Sequence, residues 1–154
     1  HVDEIYRLAV FGNHSPTMFP DLENTVVGGK NAYESINDHK WVENEFLPRV
    51  QQRGAEIIQA RGASSASSAA RAACETVKAV EHPTRSGDVF NAAVMSDGAY
   101  GMPEGIFSGF PLISDGSGSI EIVRDYSLSD FAKAGLKKTA DELVAERNLV
   151  KDLI

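Results

Sequence analysis

Residues 5–11 form an apolar run that stops at Gly12-Asn13, so an extended segment gives way to loop just before His14. Two prolines, Pro16 and Pro20, keep the following stretch irregular. Residues 25–30 read as a short strand ending in a Gly-Gly turn. Asp38 offers an N-cap, and from Trp41 onward Val42, Phe46, Val50, Ile57 and Ile58 recur on one face of a long helix. Pro48 lies inside that helix and predicts a kink or a split there, and Gly62 ends it. Ser64 or Ser65 is placed to cap the next helix. There Ala66, Ala69, Ala70, Ala73 and Val77 make a face of small residues that lets another element approach closely. Cys74 falls in the same helix and reads as a small buried hydrophobe, because no basic or histidine neighbour in sequence would lower its pKa.

Beyond the loop at residues 82–87 the period changes from helical to extended. Residues 89–95, 106–113 and 120–123 are three apolar runs separated by Ser96-Asp97-Gly98 and by the polar, glycine-bearing segment 114–119. These connections predict antiparallel pairing. Ser127 with Asp130 resembles a capping pair, and Leu128, Phe131, Leu136, Leu143 and Val150 mark the inner face of a terminal helix of about 24 residues. The predicted fold class is α+β: an antiparallel sheet covered by long helices, with residues 1–154 forming a single domain.

Composition narrows the function. Of 154 residues, 42% are hydrophobic and 24% charged, with 15 basic against 22 acidic side chains and a formal charge of -7. No lysine or arginine run supplies the electrostatic footprint of a nucleic-acid binder. No apolar stretch approaches the roughly 18 residues of a membrane span, so neither nucleic acid nor membrane is an expected partner. Cys74 is the only cysteine and excludes an internal disulfide, which fits a reducing, cytoplasmic compartment. His1, His14, His39 and His82 lack metal-ligand spacing, and no Gly-x-Ser-x-Gly elbow occurs, so no metal is expected. His14 remains as the candidate acid/base, because an imidazole held at a strand end can take and give a proton near neutral pH.

Three stretches, in order, carry a family resemblance. They are Gly12-Asn13-His14-Ser15 with Thr17 and Phe19-Pro20-Asp21; Gln51-Gln52-Arg53-Gly54-Ala55 running to Arg61-Gly62-Ala63-Ser64-Ser65-Ala66; and Ser96-Asp97-Gly98 with Tyr100-Gly101 and Pro103-Glu104-Gly105. Together they resemble the malate and lactate dehydrogenase family, in particular its cytoplasmic-type malate dehydrogenases, and the likeness runs to the end of the chain. The resemblance implies the C-terminal catalytic domain of an enzyme that interconverts malate and oxaloacetate with NAD. It matches His14 to the family's proton acceptor and donor, and Ser64 to a small hydroxyl residue lining the substrate pocket; Ser64 can serve as an N-cap as well. It also implies a homodimer, for which the alanine-rich face could serve as interface or, equally, as internal packing.

Other family parts have no match here. The Leu-Asp-x-x-Arg segment that orients the histidine and grips a carboxylate is missing, and no Gly-x-Gly-x-x-Gly opens a βαβ unit, so there is no Rossmann domain in this chain. The expectation is that NAD is bound mainly by an absent N-terminal domain, and that this chain alone is inactive. Arg53 and Arg61 are expected to be solvated or paired with acids such as Glu56, and Asn13 to be a turn former. A lactate dehydrogenase on the same scaffold, or a binding and oligomerisation domain that kept the fold without catalysis, are the alternatives.

Overall fold

The computed structural model describes residues 2–153; His1 and Ile154 lie outside it. After a 3-10 turn at Val2–Glu4, the predicted strand over residues 5–11 is two short ones, β1 (Ile5–Tyr6) and β2 (Ala9–Phe11). The break falls at Arg7, whose φ of 56° is left-handed. Side chains hold it there. Arg7 N donates to Asp88 Oδ1 at 2.9 Å, its carbonyl accepts the Tyr126 hydroxyl at 2.8 Å, and its guanidinium pairs with Asp125 at 2.7 Å. With both backbone groups satisfied by side chains, the chain can leave the strand without a buried unpaired group.

β2 turns through the His14 loop into β3 (Phe19–Asp21), its antiparallel partner. Strands β4 (Val26–Val27) and β5 (Lys30–Asn31) form a hairpin on Gly28-Gly29, as the Gly-Gly turn predicts, and β4 also pairs with β1. Buried Asp21 holds the connecting turn by accepting from Glu23 N, Asn24 N and the Asn24 amide.

A short helix α1 (Ala32–Ile36) precedes the long helical segment. That segment comprises α2 (His39–Trp41), a π turn (Val42–Phe46) and α3 (Leu47–Arg61), and Asp38 caps its start by accepting from Trp41 N at 2.9 Å. Pro48 divides it as expected: Leu47 N bonds five residues back to Val42 O, a widened turn just before the proline. Gly62 closes α3 with φ 70° and its N–H on Ile58 O.

Helix α4 (Ser67–Glu81) departs from expectation. Its N-cap is Ala66 and no side chain caps it, so neither Ser64 nor Ser65 does so. Ala66, Ala69, Ala70, Ala73, Val77 and Cys74 are all exposed, because only the C-terminal end of the helix meets the sheet, where Ser114 Oγ donates to Val80 O. The small-residue face has no packing partner among the described residues, and Cys74 is a surface thiol.

The main sheet confirms the predicted antiparallel hairpins in the order β6 (Phe90–Met95), β7 (Phe107–Ser114) and β8 (Ile120–Ile122). Helix α5 (Asp130–Leu149) is 20 residues long and its N-cap is Ser129, not Ser127: Ser129 Oγ accepts from Ala132 N, while the Ser127 backbone is bonded to Asn24. Its buried face is Ala132, Leu136, Thr139, Ala140 and Leu143; Phe131 is partly exposed but sets its ring edge-on against Phe19 at 5.9 Å, and Val150 lies past the helix end, 41% exposed. This face closes the core over Phe11, Phe19 and Phe110, and Tyr100 and Tyr126 pack edge-on against Phe11 at 5.1 and 5.9 Å.

Candidate active site

β2 and β7 meet where two glycines allow it. Gly12 N donates to Gly109 O at 3.2 Å and Gly109 N to Gly12 O at 2.8 Å. A Cβ on Gly109 would lie 2.9 Å from Val10 O, so a side chain there would force the strands apart. Asn91 completes the junction, accepting from Val10 N at 2.9 Å and donating to Leu8 O at 2.7 Å. The chain then leaves β2 into the loop that carries His14.

His14 is exposed and lines a cavity of roughly 260 Å³ together with Val10, Gly12, Met18, Asn91 and Ala92. The walls are mostly apolar, with the amides of Asn13 and Asn91 among them, and the imidazole is the titratable group in the lining. Around it the loop is tied to three elements. Met18 O accepts the Gln51 amide of α3 at 2.8 Å, Gly12 holds β7, and the remaining bonds go to α5. On α5, buried Thr139 accepts from Asn13 N at 2.8 Å, and Glu142 accepts from the Asn13 amide and from the hydroxyls of Ser15 and Thr17. Glu146 takes a second bond from the Asn13 amide at 2.9 Å. Asn13 therefore anchors the loop to a helix, which is more than the turn-forming role expected of it.

These donors, Ser15 first, hold the Glu142 carboxyl below the usual glutamate range against the opposing effect of desolvation. Asp21, at the far end of β3, shows the reverse. Burial pushes its carboxyl up, and its hydrogen bonds only partly offset this.

Ser64 lies elsewhere. It sits exposed in the link between α3 and α4, its carbonyl 3.3 Å from the Arg61 guanidinium, and it is not among the residues lining the His14 cavity. Arg53 is paired with Glu56 at 3.1 Å and both are exposed, as expected. Asn91, Gln51, Thr139 and Glu142 were not anticipated from the sequence. A signal for two of them exists: Thr139, Glu142 and Glu146 fall at i, i+3 and i+7, a polar stripe beside the apolar face of α5. Gln51 opens the second of the stretches that carry the family resemblance, though its bond to the His14 loop was not foreseen, and Asn91 has no such signal.

A family model for the lactate/malate dehydrogenase alpha/beta C-terminal domain matches residues 2–154. The chain belongs to that family. It is 47% identical over 153 residues to a malate dehydrogenase of Magnetococcus marinus, a match covering 99% of this chain and 47% of that protein. The crystal structure of malate dehydrogenase from Naegleria fowleri superposes with a TM-score of 0.92 at 37% identity, covering all of this chain and 47% of the other. The lactate dehydrogenase of Trichomonas vaginalis, solved with NADH and oxamate, gives 0.89 at 28% identity, over 98% of this chain and 47% of that one. The chain thus spans about half the length of these relatives. The α+β fold class and the resemblance to malate dehydrogenases both hold. No helix among the described residues is long and apolar enough to cross a membrane.

Proposed function

We propose that this chain is the substrate-side half of an NAD-dependent malate dehydrogenase, in which His14 takes the proton from the C2 hydroxyl of malate and returns it to oxaloacetate. The observation that carries this reading is the placement of His14: an exposed imidazole at an apolar cavity, on a loop tied to a strand and two helices. Such tethering favours one pose, which proton transfer requires. A neutral imidazole accepts the proton as the substrate is oxidised, and the imidazolium then polarises the carbonyl in the reverse direction. The relatives named as malate dehydrogenases support the substrate class.

NAD, when bound, supplies the hydride acceptor. At roughly 260 Å³ the cavity falls short of a complete ligand pocket, which takes about 300–1,000 Å³. Its small apolar walls suit a planar ring end and a small acid, so a further domain would hold the rest of the cofactor. We assign that task, and the carboxylate-gripping arginines, to an N-terminal half not contained in this sequence. Residues 1–154 then act as one domain of a cytoplasmic homodimer and are inactive alone. Ser64 joins the pocket in this reading, because its exposed link is free to meet the other half. The match to a lactate dehydrogenase keeps lactate as the rival substrate.

The test uses the complete protein. His14→Ala lowers kcat for malate by about 10²- to 10⁴-fold, while NADH binding, followed by nicotinamide fluorescence, is retained. Near-normal malate oxidation by the variant overturns the assignment. A higher kcat/KM for lactate than for malate in the unaltered protein transfers the reading to the rival substrate.

A further inference from the structure

Three side-chain donors around His14 converge on a single oxygen. Glu142 Oε2 lies 3.1 Å from Asn13 Nδ2 and accepts from Ser15 Oγ and Thr17 Oγ1, so the residue before the histidine and two after it share one acceptor on α5. One turn earlier, Thr139 Oγ1 takes the Asn13 N–H and lies 2.9 Å from Thr17 Oγ1. A carboxylate oxygen accepts from the amide and both hydroxyls without a proton of its own to place among them, and its negative charge strengthens each bond.

We propose that Glu142 is the positioning residue of the acid/base site: its carboxylate holds residues 13–17 so that the His14 imidazole addresses the cavity. The proposal rests on the reading of His14 given above. It assigns to the terminal helix, far along the chain from the histidine, control over where the proton is exchanged. The charged neighbours of Glu142 are Lys138 on the same helix, which favours its ionised form, and Glu146, which shares the Asn13 amide; from the facing loop the titratable group is His14 itself. The depressed Glu142 carboxyl keeps the anchor ionised through neutral pH.

A surface glutamate with a purely structural part would change stability alone. A positioning glutamate changes kcat and its pH profile, because an imidazole displaced by about 1 Å loses on the order of 100-fold in rate. In the complete enzyme, Glu142→Ala is expected to lower kcat for malate roughly 10- to 100-fold while leaving the NADH dissociation constant unchanged. Glu142→Gln, which keeps the shape and one acceptor, is expected to recover part of the loss, and the pH midpoint assigned to His14 is expected to move in both. Lys137→Ala, on the same helix and paired with Asp141, serves as the control without effect. Unchanged kcat and pH midpoint in Glu142→Gln and Glu142→Ala overturn the proposal, as does a rate loss that follows lowered stability alone. Should Glu142→Ala fail to fold, Glu142→Gln still decides through the pH midpoint. His14→Ala is measured alongside. Near-normal turnover in that variant removes the active-site reading and this proposal together, whereas a dead His14→Ala with unaffected Glu142 variants removes only the positioning role.

Discussion

Gly12→Ala tests how the structure holds its histidine. Gly12 has φ 94°, and a Cβ there would fall 2.3 Å from both Oγ1 and Cγ2 of Thr139 and 2.8 Å from its Cβ. Three costs combine. A left-handed backbone with a side chain costs about 1–2 kcal/mol. Overpacking against Thr139, which is completely buried and has no room to retreat, costs about 1–3 kcal/mol. A shifted Thr139 weakens its bond from Asn13 N, at about 1 kcal/mol. Together these come to about 4 kcal/mol, enough to lower Tm by on the order of 10 °C. Because His14 follows two residues later, kcat should fall as well. Thermal unfolding of the complete protein followed by circular dichroism at 222 nm, with malate oxidation assayed on the same samples, gives both readouts. Combining Gly12→Ala with Thr139→Ala removes the two closest atoms, so the double variant should recover at least about 1 kcal/mol relative to the sum of the single changes. A Gly12→Ala protein within about 1 kcal/mol of the original, or strictly additive single effects, would refute the steric argument.

Two further outcomes are expected from the carboxylates of Asp21 and Glu142. Asp21→Asn leaves an amide NH2 facing the N–H groups of Glu23 and Asn24, and should cost about 1–3 kcal/mol in urea unfolding at neutral pH; a gain in stability would mean that relief of desolvation outweighs the lost acceptor. Glu142 has a folded-state pKa below its ordinary 4.5, so its contribution to stability is complete above that value and is lost as pH falls through the lowered one. Urea midpoints measured below pH 4.5 should therefore decline less steeply in Glu142→Gln, and identical slopes would contradict the assignment.

The elements whose stabilisation is local were legible in the chain. Asp38 at a helix start, Gly62 at a helix end, the split at Pro48, the Gly28-Gly29 hairpin and the three apolar runs of the main sheet all follow from short-range sterics and periodicity. The family resemblance of the stretch around His14 was legible too, since it lies in neighbouring residues. What the fold alone settled is everything carried by distant pairs. Arg7 leaves its strand where Asp88, Asp125 and Tyr126 satisfy it, and the cap of α5 is Ser129 rather than Ser127, whose backbone is held by Asn24. The alanine face of α4 and Cys74 are exposed because nothing among the described residues packs against them, and helical spacing alone does not say what lies opposite. The anchor of the His14 loop belongs to the same class: the polar stripe on α5 is legible, but which segment it meets is not, because Glu142 sits 127 positions from Ser15 and only packing brings the two together.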